Sequence, residues 1–185
     1  MNFATRAHRL QQVLAHLQAV GRQQVARLGL VTPVGAEGDA HLRALRATPR
    51  ARRAFAAAHP ADQASATRTA ASLRRLGAKS DDQLAALLHD LPKGQVGLLP
   101  RVLHVLEGSP VNGRARGPLA RSRQTLRLHA SVAPKLADKL GAPRGTITIL
   151  QELARQESRT TSRGRATGID ARVRLLLDID SGVAR

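Results

Sequence analysis

Apolar residues in this chain recur at intervals of three and four and almost never alternate. Leu84, Leu87, Leu88 and Leu91 form the clearest stripe. Leu10, Val13, Leu14 and Leu17 form another, as do Ala66, Thr69, Ala70, Leu73 and Leu76. That spacing lines one face of a 3.6-residue helix, whereas a half-buried strand needs a period of two. Strand formers cluster only in Thr146-Ile147-Thr148-Ile149, so no sheet is expected. The predicted fold is all-α, a single bundle of about six to nine helices. Its filling is unusual: Phe3 and Phe55 are the only aromatics. Leu, Val and Ala must make the interior, which suits closely packed helices.

Punctuation residues divide the chain. A first helix is expected at about 5–28, then a loop at 29–38 containing Pro33 and Gly35. Short helices follow at about 39–46 and 49–58. Pro60 fits the first turn of a helix that runs to Leu76 and stops at Gly77. Ser80 followed by Asp81, Asp82 and Gln83 predicts a capping box, with acids at the positive helix end. Pro92 and Gly94 end or bend the helix it opens. Further helices are expected at about 95–106 and 121–140, after Pro143, and at about 170–180. Loops are expected at 109–118 and 158–168.

Charge sets the class of partner. Thirty basic and 13 acidic residues give a net charge of +17, and only four of the basic residues are lysines. Arginines gather at Arg43, Arg46, Arg50, Arg52 and Arg53, at Arg114, Arg116, Arg121, Arg123 and Arg127, and at Arg155, Arg159, Arg163 and Arg165. Such a surface suits polyanions, and weak non-specific nucleic-acid binding is one expectation. A solvated basic face with no partner is the other. No helix-turn-helix, zinc-finger or RNP pattern accompanies the clusters. Two phenylalanines make no base-stacking platform. The chain has no cysteine, which excludes thiolate zinc sites and cysteine nucleophiles and fits a reducing cytoplasm. No apolar run reaches the roughly 20 residues of a membrane span. Phosphate-binding loops, Gly-rich dinucleotide turns and the Gly-x-Ser-x-Gly elbow are missing.

The residues that could carry chemistry are His89 and Asp90, in Leu87-Leu88-His89-Asp90-Leu91-Pro92-Lys93. An imidazole beside a carboxylate can ligate a divalent cation, and Lys93 can meet a phosphate oxygen as a point charge. A plain alternative makes Asp90 a solvated residue and His89 an ordinary helix-end residue. His8, His16, His41 and His104 read as surface or packing residues. His129, between Leu126 and Val132, fits a core-edge role and a site role equally.

The stretch from Asp82 to Gly94 resembles the HD-domain superfamily of metal-dependent phosphohydrolases. There an apolar helix ends in Leu-Leu-His-Asp and a short turn with Gly and Lys follows. Ala61-Asp62-Gln63, Val102 to Leu106, Leu128 to Ala133 and Leu175 to Asp180 extend the resemblance over roughly residues 60–180. It implies an HD-like helical domain at 60–185, preceded by a helical extension at 1–59, in one compact unit. It also implies His89, Asp90, His129 and Asp180 as metal ligands, and Asp90 and Lys93 in catalysis on a phosphorylated or nucleotide ligand.

Three departures stand out. The family's first metal histidine falls at Ser65, Pro92 replaces the usual glycine, and the helix after Gly141 carries no histidine. The resemblance therefore implies a divalent metal that is weakly bound or absent, and hydrolysis that is degraded or lost. The alternative is a basic, non-sequence-specific nucleic-acid-associated helical protein.

Overall fold

The computed structural model describes residues 35–97, 117–161 and 171–180, together with Leu14, Leu17, Gln18, Gly21 and Pro100. Seven α-helices and one 3-10 turn lie among them, and no strand. The helices are α1 (Ala36–Ala44), α2 (Pro49–Ala56), α3 (Pro60–Arg75), α4 (Ser80–Leu88), α5 (Pro118–Lys139), α6 (Arg144–Thr161) and α7 (Ala171–Asp180). The 3-10 turn, Leu91–Lys93, follows α4. Of the helix expected at 95–106, residues 95–97 are turn and coil rather than helix, and the rest, Pro100 apart, lies outside the described residues, as do His8, His16 and His104. Leu14 and Leu17 are exposed, so that part of the first expected stripe is not buried.

α4 is the centre of the fold. Leu84, Ala85, Ala86, Leu87 and Leu88 are all buried, so the helix is enclosed on every side rather than on one face. α3 and α6 pack against it, α5 packs on α6 and on the 3-10 turn, and α7 lies mainly on α3. Leu42, Phe55, Leu73, Leu150, Val173 and Leu176 complete one core that draws on α1, α2, α3, α6 and α7. Phe55 is the one large ring in it. Gly38 makes room for that ring, since a Cβ there would lie 2.5 Å from Phe55. No helix among the described residues is long and apolar enough to cross a membrane.

The helix ends refine the sequence expectations. α1 begins at Ala36, inside the stretch expected to be loop, with Glu37 and Asp39 in its first turn. Pro49 and Pro60 open α2 and α3 as first-turn prolines. Thr48 caps α2 by accepting from Ala51 N at 3.1 Å, and donates to the Leu140 carbonyl at 2.5 Å. The α4 cap is displaced by one residue. Ser80 is the first helical residue, and Asp82 accepts from the backbone N–H of Lys79 at 3.0 Å. Asp82 also pairs with Arg172 at 2.8 Å, so a short carboxylate serves both the cap and the docking of α7. Gly141 ends α5 with φ +75, the left-handed conformation that helix termination favours.

Candidate functional site at the end of α4

α4 stops at Leu88 because Pro92 cannot continue it. His89 is its C-cap and Asp90 opens the 3-10 turn. Lys93 N bonds to Asp90 O at 3.0 Å, which folds the turn back so that the Lys93 ammonium stands 2.6 Å from Asp90 Oδ1. The turn packs on α5. His129 of α5 reaches the same carboxylate, with Nε2 3.5 Å from Asp90 Oδ1.

α7 brings the fourth residue. It is pinned near its start by Arg172 on Asp82 and near its end by Thr69, whose hydroxyl donates to Asp180 Oδ1 at 3.3 Å. Asp82 and His89 are seven residues apart, Arg172 and Asp180 eight. Helices rise about 1.5 Å per residue, so a pair anchored at Asp82–Arg172 comes into register again at His89–Asp180. There His89 Nε2 lies 3.9 Å from Asp180 Oδ1 and 3.2 Å from Asp90 Oδ1. His89, Asp90, Lys93, His129 and Asp180 thus meet in one pocket.

Three further side chains belong to it that sequence reasoning did not single out as site residues. Glu157 of α6 stands 4.0 Å from His129 Nε2. Asp62 of α3 is buried, and its charge acts on Lys93. Thr69 holds Asp180. The signal was present: Asp62 continues the Ala66, Thr69, Leu73 stripe, and Glu157 continues Leu150 and Leu153. An acid at core-facing spacing is a candidate for a buried charge. Ser65 falls between Asp62 and Thr69 at helical spacing, on the same face of α3. Of the other histidines, His41 is buried and donates to Gln83 Oε1 at 2.8 Å, and His59 caps α3.

The electrostatics are those of a tight ionic cluster with an open rim. Asp90 is 8% exposed and Lys93 21%, whereas Asp180 and Glu157 are 36% and 41% exposed. Each imidazole has Nδ1 against a helix carbonyl, His89 on Ala86 O at 2.8 Å and His129 on Leu126 O at 2.7 Å. A carbonyl only accepts, so Nδ1 carries the proton and Nε2 faces the pocket. Burial opposes charge on His89, but the Asp90 and Asp180 carboxylates outweigh it and hold its pKa above the usual imidazole value. Burial and the Lys93 ammonium push His129 down to about 4. Burial likewise opposes charge on Asp90, yet His89, Lys93 and His129 together keep it ionised far below the ordinary carboxylate range. Burial raises Glu157. At neutral pH the pocket holds an ammonium and the neutral His129 imidazole around an ionised Asp90, and the Asp90 and Asp180 carboxylates draw His89 toward its charged form.

Two Nε2 atoms and several carboxylates are a donor set that suits a divalent cation in kind. Their arrangement does not fit one. Among the described residues no three His, Asp or Glu side chains form a metal-holding group. The central oxygen, Asp90 Oδ1, already faces an ammonium. Comparison with family models, with curated proteins and with solved structures returns no match.

Proposed function

We propose that this chain is an HD-domain-like protein whose metal-dependent phosphohydrolase activity on a phosphorylated or nucleotide ligand is degraded or absent. The observation that supports it best is the meeting of His89, Asp90, His129 and Asp180, drawn from two helices and the end of a third, with every nearest contact under 4 Å. Chance would not readily bring the four residues implied by the resemblance into one pocket. Degradation follows from Ser65, a poor divalent ligand beside imidazole or carboxylate, and from the ammonium held against Asp90. In this reading Lys93 supplies the positive charge and His89 a hydrogen-bonding nitrogen that a phosphoryl group meets, and the exposed Asp180 and half-buried Glu157 form the mouth.

The test is turnover of a phosphomonoester and a nucleotide panel with Mn²⁺ or Mg²⁺ present, beside a thermal-shift screen of the same compounds. The expected result is no turnover above that of His89→Ala, and a melting shift with some phosphorylated compound that His89→Ala loses. Turnover at ordinary enzyme rates that His89→Ala abolishes would show an intact hydrolase. No shift with any compound would remove the ligand-binding reading.

A second reading is favoured by a separate observation, the net charge of +17 with Arg43, Arg50, Arg53, Arg68 and Arg155 on helices of the fold. It is weak, non-specific association with nucleic acid. Duplex affinity should fall steeply with salt, because arginine contacts displace condensed counterions. Tight binding to one sequence that persists in high salt would contradict it.

A further inference from the structure

We propose that Lys93 is a tethered cation that takes the place of a divalent ion in this pocket, so that the chain closes its own metal site. The proposal deepens the reading above and rests on its placing of the pocket, but not on any substrate.

The position of the ammonium carries it. Lys93 Nζ is 2.6 Å from Asp90 Oδ1, and the same oxygen has His89 Nε2 at 3.2 Å and His129 Nε2 at 3.5 Å. It is buried and makes no aligned hydrogen bond. Its contacts are those of a charge surrounded by nitrogen atoms. The Asp62 and Asp180 carboxylates also act on the ammonium. The ammonium thus stands on the one carboxylate oxygen that both imidazoles approach.

The backbone makes this placement durable. Lys93 closes a 3-10 turn on Asp90, Pro92 fixes the backbone angle before it, and Gly94 supplies the φ of +57 that lets the chain leave. An ammonium three residues after the carboxylate thus returns over it without a long excursion. Lys93 Nζ stands 2.6 Å from Asp90 Oδ1, so a divalent ion entering the cluster would meet a positive group at the oxygen it must bind and would have to displace it.

The experiment is Mn²⁺ titration of the full chain by calorimetry, with free Mn²⁺ followed by electron paramagnetic resonance. It compares the native chain with Lys93→Met, Lys93→Arg and Ser65→His. The native chain and Lys93→Arg should bind no Mn²⁺ saturably at millimolar concentration. Lys93→Met should gain one site, with affinity raised by about tenfold or more, a change of one decade in Kd. Mn²⁺ should raise the melting temperature of Lys93→Met and leave that of the native chain unchanged. Ser65→His, with Lys93 still present, should gain less than Lys93→Met.

Saturable Mn²⁺ binding by the native chain, undiminished against Lys93→Met, would overturn the proposal. So would a full gain from Ser65→His alone, since the defect would then be the missing imidazole. If Lys93→Met does not fold, the Ser65→His arm decides: a strong gain overturns the proposal and no gain supports it. Phosphoester turnover does not enter these readouts, so the hydrolase reading can fail while the tethered cation stands, and the reverse.

Discussion

Two carboxylates in this molecule each sit between cations, and they differ in nearly everything that follows. Asp39, on α1, pairs with Arg43 at 2.6 Å and Arg52 at 2.8 Å. Asp90 pairs with Lys93 at 2.6 Å and His89 at 3.2 Å. The distances match, but the surroundings do not. Asp39 is a quarter exposed and Arg43 64% exposed, so water screens the pair and either side chain can leave it. Asp90 is only 8% exposed and His89 11%, so the Asp90 carboxylate has little solvent to turn to. Equal contact lengths therefore carry unequal energies, and the difference lies in burial rather than in residue type.

The largest expected effect is at Asp90. Asp90→Asn takes the carboxylate away from the Lys93 ammonium that faces it at 2.6 Å, and breaking a buried pair from one side typically costs about 3–5 kcal/mol. Urea unfolding should show it as a lower midpoint with little change in slope. A loss below that of a surface substitution would mean that the pocket opens to water, and the contrast with Asp39 would collapse.

Next comes pH. His129 is held down to about 4 by burial and Lys93, so between its unfolded value near 6.5 and about 4 the unfolded chain binds a proton that the fold refuses. Stability should fall as pH drops through that window, by up to about 3 kcal/mol at about 1.4 kcal/mol per unit. His89 works in the opposite sense. Its folded pKa is raised, so its contribution is fully present below about 6.5 and is lost as pH rises through the folded value. Glu157, raised by burial, partly opposes His129 on the acid side. The informative quantity is therefore the difference between the native chain and His129→Gln, measured by melts across pH. The acid limb should flatten in the variant, and an unchanged limb would place the His129 ring in solvent.

The third effect is at the start of α2, the helix that carries Arg52. Thr48 caps α2 and donates to the Leu140 carbonyl, tying α2 to the end of α5. Thr48→Ala should cost about 1–2 kcal/mol, as losses of helix caps do. A neutral hydroxyl at the start of α2 thus outweighs the exposed ion pairs of Asp39. The smallest effect is Asp39→Asn. It should lower the melting temperature less than Thr48→Ala does, and the change should vanish in molar salt. A loss at Asp39 equal to that at Asp90 would show the two sites to be alike after all.

Much of the helical frame was legible in local residues. Pro49, Pro60 and Gly141 fall at helix ends as expected, because a missing N–H and a left-handed backbone act within one turn. The α4 cap was misplaced by one residue, since a serine and two aspartates in series offer several caps of similar strength. Docking decided among them, with Asp82 also pairing to Arg172. In the pocket, His89, Asp90 and Lys93 were visible as a sequence block, and His129 and Asp180 followed from the resemblance. Asp62 and Glu157 were not singled out. An acid at core-facing spacing looks like any surface acid until the neighbouring helix is known.

The sequence by itself determined that the described elements are helices, the ends set by Pro49, Pro60 and Gly141, and the short segment that carries a histidine, a carboxylate and an amine within five residues. These depend on periodicity and on backbone chemistry that acts over three or four residues. Tertiary structure alone decided that Asp180 stands 3.9 Å from His89 across the chain, that Glu157 and Asp62 join them, and that Lys93 turns inward onto Asp90 rather than outward to solvent. Each of those rests on the packing of separate helices and on the cost of leaving a charge unpaired once water is excluded. That cost arises only when the helices have met.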